Sequence, residues 1–153
     1  TQSTNIFRAA EFDYRQYQKI KRDGSTLTWQ LKTRTSSGDV PWTEMSMFGN
    51  PFDLRGYIWG QYRDRTMMFV LSEYRYMFKR KTPKEDGRMY GPLGFVVWSG
   101  IGSVAPDYSH MKYWLPNAGV GLRFELQKRM NIRIDYGIGV ESNAFYISFN
   151  EAF

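Results

Sequence analysis

The 153-residue sequence contains no cysteine and a single histidine, His110. Disulfide staples and thiolate metal sites are therefore excluded, and a metal centre would have one imidazole at most. No apolar run approaches the roughly 20 residues that a membrane-spanning helix needs, and mean hydropathy is −0.55. The sequence also lacks long runs of one charge. Its net charge of +6 is spread singly along the chain, so the basic stripe expected of a nucleic-acid-binding surface is missing. Helical spacing of apolar residues is absent as well, and 14 Gly and 6 Pro interrupt the chain frequently.

What is abundant is aromatic residues, 18% of the chain, set in segments of period two. In NAGVGLRFELQ (117–127) Ala118, Val120, Leu122 and Phe124 alternate with Asn117, Gly119, Gly121, Arg123 and Glu125. In NIRIDYGIGVE (131–141) Ile132, Ile134, Tyr136 and Ile138 alternate with Arg133, Asp135, Gly137 and Gly139. Alternation places these sets on opposite faces of a strand. The short KRM connection between the two runs fits a tight hairpin. The same pattern, noisier, recurs in NIFRAAEFDYRQYQKI, TLTWQLKTRT, TMMFVLSEYRYMF and GPLGFVVWSGIGSV, giving seven clear strands, with YIWGQYR (57–63) as an eighth. The long irregular stretches are 36–57, 79–89 and 105–116.

The expected fold is a single all-β domain over 1–153. Residue pattern alone leaves two forms: a soluble barrel or sandwich, or an antiparallel transmembrane β-barrel of about eight strands. Many Tyr and Trp near strand ends favour the membrane form, because amphipathic rings settle at the lipid interface. Glycines on the polar face suit a curved wall with a crowded interior.

FDLRGYIWGQYRD (52–64), EYRYMF (73–78) and GVGLRFELQKRMNIRIDYGIG (119–139), followed by a strand closing on Phe153, resemble the C-terminal barrel half of the outer-membrane assembly-factor superfamily. This is the bacterial surface antigen family typified by BamA and TamA, and the likeness covers the chain from about residue 40. It implies a bacterial outer-membrane protein that acts in membrane-protein insertion or translocation without enzymatic chemistry. The partners so implied are outer-membrane lipid, client barrel proteins or another barrel chain, and no cofactor. The mechanism would be a weak seam between first and last strands that templates a client strand.

The resemblance also makes 36–57 a long loop folded back into the barrel, with the L-R-G-Y motif at its tip. By motif, Arg55 with Gly56 and Tyr57 is the brace. The family's inward Asp, in F-x-D-x-G, falls on Gly100 of Trp98-Ser99-Gly100-Ile101-Gly102. With that carboxylate missing, Arg55 is expected to meet Glu73, which shares inward parity with Arg75, or the face of Trp98, because an unpartnered buried guanidinium is costly. Arg123, Glu125, Arg133 and Asp135 are expected as further lumen charges. Seven or eight strands are half of the family's usual wall, so the chain reads as a half-barrel needing another chain or as a small barrel closed on itself; self-closure is the expectation, because lipid cannot satisfy bare strand edges. No apolar core of a signal peptide is visible in TQSTNIFRAAEF.

Alternative classes are a structural barrel or membrane anchor without transport activity, and a lipid-modifying enzyme. For the last, His110 lies close to Asp107 and Ser109, but a triad requires both ring nitrogens to be engaged, which so short a loop seldom achieves. The carboxylates of TPKEDG (82–87) lack a calcium-loop spacing. No catalytic residue and no metal ligand is therefore assigned. At the end of the chain, Phe145, Ile147, Phe149 and Phe153 share one parity; Phe149 and Phe153 resemble the C-terminal insertion signal of outer-membrane barrels, and Glu151 is the misfit on that face.

Overall fold

The computed structural model describes residues 6–20, 24–79, 90–127 and 130–149; of residues 79, 90–92, 125–127 and 130–131 the backbone alone is described. The described chain is all-β. Seven long strands form one antiparallel sheet: β1 (Phe7–Lys19), β2 (Ser25–Gly38), β5 (Thr66–Lys79), β6 (Tyr90–Ala105), β7 (Leu115–Gln127), β8 (Met130–Ile138) and β9 (Asn143–Phe149). The order in the sheet is the order in sequence, so every connection joins neighbours. Two short strands, β3 (Ser46–Met47) and β4 (Arg63–Asp64), pair with each other inside the long connection 39–65.

The period-two reading translates directly into faces. On β6 Gly94, Val96, Trp98 and Gly102 are buried on the concave side, whereas Leu93, Val97 and Ile101 point outward and are exposed. β7 and β8 repeat this, with Asn117, Gly119, Gly121, Arg123, Arg133 and Asp135 buried and Val120, Leu122, Phe124, Tyr136 and Ile138 exposed. Ladder register makes the sides agree between strands: Arg123 faces Arg133, Gly121 faces Asp135 and Val120 faces Tyr136. The outer face of the wall is thus largely apolar, whereas the inner face combines buried charges on β5, β7 and β8 with the apolar side chains beneath the loop. On β9 the outward Phe145, Ile147 and Phe149 are 62%, 68% and 61% exposed.

Three expectations change. The segment 57–63 is not a wall strand: Tyr57 is buried at the tip of the long connection, and a turn with Gly60 at φ +77° leads into the short β4. The connection is also placed later than 36–57, since Ser36–Gly38 still belong to β2 and the chain rejoins the wall at Thr66. Finally, the sheet has seven strands rather than about eight and is open: among the described residues β1 and β9 are edges and do not pair with each other. Local alternation selects a strand's faces, but closure depends on wall curvature and on which strands stand at the edges. Glu151 and Phe153, the TPKEDG segment and the side chain of Glu125 lie outside the described residues.

The connection 39–65 folds over the concave face. Phe48, Leu54 and Tyr57 from it pack with Met67, Phe69 and Leu71 of β5 and Leu115 of β7 into the main apolar cluster. Full burial of side chains this size contributes about 2 kcal/mol each. That cluster holds the loop to the wall and sets its tip against β8.

Candidate functional site

The tip Leu54-Arg55-Gly56-Tyr57 is buried throughout. Gly56 has φ +110°, in the left-handed region that disfavours a side chain. A Cβ on Gly56 would lie 2.7 Å from the carbonyl carbon of Ile138, and one on Gly137 would lie 2.8 Å from that of Arg55. Two backbones are therefore in direct contact, and glycine on each side permits it. Polar groups from two strands and the β8–β9 turn complete the dock. Gly56 N donates to Tyr146 Oη on β9 at 3.0 Å, Asn117 Nδ2 on β7 donates to Arg55 O at 2.9 Å, and Ser142 Oγ donates to Gly56 O at 2.7 Å. Tyr57 Oη donates to Pro116 O at 2.6 Å. At the rim, Tyr62 Oη donates to Glu141 Oε2 at 3.0 Å.

The Arg55 side chain spans the concavity. Nη2 donates to Glu73 Oε2 on β5 at 2.6 Å and Nη1 to Asp135 Oδ2 on β8 at 2.7 Å, with both ion pairs shielded from solvent. Its guanidinium carbon sits 3.6 Å from the centroid of the Trp98 ring. Glu73 also accepts from Arg75 Nε at 2.6 Å, with Arg123 Nη2 3.7 Å away. Asp135 is further held by Arg123 Nη1 at 2.5 Å and Arg133 Nε at 3.2 Å. Arg133 reaches back to the loop, donating from Nη2 to Pro51 O at 2.7 Å. Thus both contacts anticipated for Arg55, the Glu73 carboxylate and the Trp98 face, are present together.

Asp135 was expected as a lumen charge but not as a ligand of Arg55. It shares parity with Arg133, yet nothing local shows which loop residue will reach it. Nor is there room for an acid at Gly100. A Cβ there would meet the Leu71 side chain and lie 2.8 Å from both Asn117 Oδ1 and Val70 O. The carboxylates come instead from the neighbouring strand β5 and from β8. Docking residues outside the sequence reading are Asn117, Tyr146 and Ser142, whose polar groups on inward or turn positions were the available signal.

A second feature of the loop is Asp53, which is buried. Its Oδ1 accepts from Gly49 N at 2.9 Å and Asn50 N at 3.0 Å, closing the turn that precedes the tip. Burial outweighs these backbone donors and pushes its carboxyl up to about 7.

Asp107, Ser109 and His110 lie together in an exposed short helical turn. Asp107 caps it, accepting from Ser109 N at 2.9 Å and Ser109 Oγ at 2.6 Å, and its oxygens lie 2.8 Å from His110 Nδ1. The Ser109 and His110 donors hold the Asp107 carboxyl down at about 2. Ser109 Oγ approaches that same Nδ1, at 3.2 Å. A relay needs the nucleophile on one ring nitrogen and the acid on the other, so this arrangement is a cap. Among the described residues no group of three or more His, Asp or Glu side chains converges to hold a metal, and no helix is long and apolar enough to cross a membrane. No protein-family model matches the chain, and a search of curated proteins returns no match.

Proposed function

We propose that the chain is an outer-membrane β-wall related to the assembly-factor superfamily, which acts in insertion or translocation of outer-membrane proteins by strand pairing at its sheet edge. The L-R-G-Y loop serves as its internal brace. The observation that carries this reading is the inside-out wall: exposed aliphatic and aromatic side chains cover the outer face of adjacent strands, while Arg55, Glu73, Arg123, Arg133 and Asp135 are buried on the inner face. An apolar surface extending over so many strands exceeds what a soluble monomer leaves in water and matches the lipid band of a membrane barrel. Free edges at β1 and β9 supply backbone donors and acceptors for an incoming strand.

The test is reconstitution. Chain refolded into phospholipid vesicles is expected to resist protease along its strands and to accelerate assembly of an added unfolded outer-membrane barrel, measured by heat-modifiable gel migration of the client. Failure to enter vesicles would sink the membrane reading. Stable entry without acceleration of the client would leave a structural wall or membrane anchor, the alternative favoured by the extent to which the loop is locked.

A further inference from the structure

Two long connections leave the same end of the sheet in opposite directions. The connection 39–65 folds inward over the concave face, whereas 106–114, which joins β6 to β7, turns outward. Its short helical turn, Tyr108–His110, reaches back past β5 to β2. Thr33 uses its one hydroxyl proton on Met67 O at 2.9 Å, so Tyr108 Oη is the donor in its 2.8 Å contact with Thr33 Oγ1. Thr33 shares parity with the exposed Trp29, on the face opposite to the buried Thr28 and Gln30. The connection 106–114 is therefore a strap across the outer face of the wall.

What lies at that end of the outer face differs from the apolar surface elsewhere on it. Outward parity on β5 and β6 includes Thr66, Ser103 and Ala105, which alternation alone would leave exposed, yet all three are buried. Thr35 Oγ1 donates to Thr66 Oγ1 at 2.9 Å, and Thr66 Oγ1 donates to Pro106 O of the strap at 3.3 Å. Bare hydroxyls in hydrocarbon would lack such partners, so the apolar band ends where the strap begins. Its other limit is an aromatic cluster on the same face, Tyr76, Phe78 and Phe95, with ring centroids 5.3, 5.6 and 6.0 Å apart. From Met68, next to the strap, to Phe78 in that cluster, β5 rises about 25 Å along the membrane normal, at about 3.3 Å per residue and a tilt of about 40°. That is the height of the apolar band of a membrane barrel.

The exposed side of the strap has the composition suited to that level. Tyr113 is 84% exposed, Tyr108 and Trp114 are exposed near it, and Lys112 and His110 stand between them. Amphipathic rings settle among lipid headgroups, and a lysine there keeps its stem on apolar surface while its ammonium meets the phosphates.

We infer that the strap is a lipid-contacting foot. Latched to the outer face through Tyr108 and Thr33, it lays Tyr113 and Trp114 into the headgroup region of the loop-side leaflet, sets Lys112 against the lipid phosphates, and so fixes how deep the wall sits. This rests on the membrane reading above and gives a lipid partner to a segment that the Arg55 brace does not involve.

The absence of cysteine from the sequence allows single nitroxide labels to be read without background. The full chain in phosphatidylcholine vesicles carries the label at Tyr113→Cys or, as an independent site, Lys112→Cys. Val97→Cys, midway along the outer face of β6, and Thr43→Cys, exposed on the inward connection, are the references. Collision with oxygen relative to a water-soluble nickel chelate should be highest at 97, intermediate at 112 and 113, and lowest at 43, each step severalfold. Tyr108→Phe removes the latching hydroxyl and should shift the label at 113 severalfold towards the value at 43. Labels at 112 and 113 that match position 43, labels that match position 97, or a Tyr108→Phe chain indistinguishable from its parent would each overturn the inference. A label at 97 as open to nickel as the one at 43 would instead count against the membrane reading.

Discussion

Arg55→Ala removes the residue on which the loop tip turns. Its guanidinium joins Glu73 and Asp135, which stand on β5 and β8, and stacks on Trp98 between them. Taking one partner from a buried ion pair typically costs 3–5 kcal/mol, and a desolvated cation-π contact adds about 2 kcal/mol. The loss here falls at the low end, because Glu73 keeps Arg75 at 2.6 Å and Asp135 keeps Arg123 and Arg133. Together the two losses come to about 5 kcal/mol, which raises the undocked population of the loop several thousandfold. The wall itself should persist, since its ladders do not involve Arg55. The assay is limited trypsin digestion in detergent micelles, with cleavage at Arg63 and Arg65 as the readout for the loop and retention of strand circular dichroism as the readout for the wall. Arg55→Lys should recover only part of the protection, since an ammonium lacks the planar fork that spans two carboxylates and stacks on a ring. Loop cleavage unchanged in Arg55→Ala would refute the brace argument, and so would loss of the whole sheet.

Gly137→Ala should release the loop about as strongly as Arg55→Ala, because the added methyl meets the Arg55 backbone at 2.8 Å; equal protease resistance in variant and parent would show that the contact yields. Asp53 gives the loop a pH dependence. With its carboxyl at about 7 in the folded chain against 3.8 otherwise, the folded form binds more protons between those values, so docking weakens as pH rises from about 4 to about 7 and is level outside that window, by about 4 kcal/mol in total. Loop protection should therefore be greater at pH 5 than at pH 8, and Asp53→Asn should flatten the difference; a pH-independent parent would contradict it. Val120→Arg, on the outward face of β7, should reduce the stability of the vesicle-inserted chain by about 2–4 kcal/mol, measured by urea titration; an unperturbed transition would argue against lipid on that face.

Several of these residues were legible from sequence and several were not. Trp98, Arg123, Arg133 and Asp135 were placed on the inner face by parity alone, because a strand's side chains alternate whatever surrounds it. Arg55 was singled out by its motif, and the cost of burying a guanidinium required a partner for it. That Asp135 would be one of two carboxylates depended on the loop tip reaching β8, which brings together Arg55 and Asp135, 80 residues apart in sequence. The segment 57–63 shows the limit of periodicity: its aromatic alternation matches a wall strand, but Tyr57 and Tyr62 serve the loop, packing edge to face with ring centroids 5.5 Å apart.

The sequence by itself determined the faces of the strands, the antiparallel all-β class and the chemical nature of both surfaces, since these follow from local alternation and hairpin-length connections. Tertiary structure decided which carboxylates meet Arg55, where the loop docks and that the sheet is open. Those outcomes depend on contacts between distant strands and on which strands stand at the edges, and neither is encoded in any single stretch of the chain.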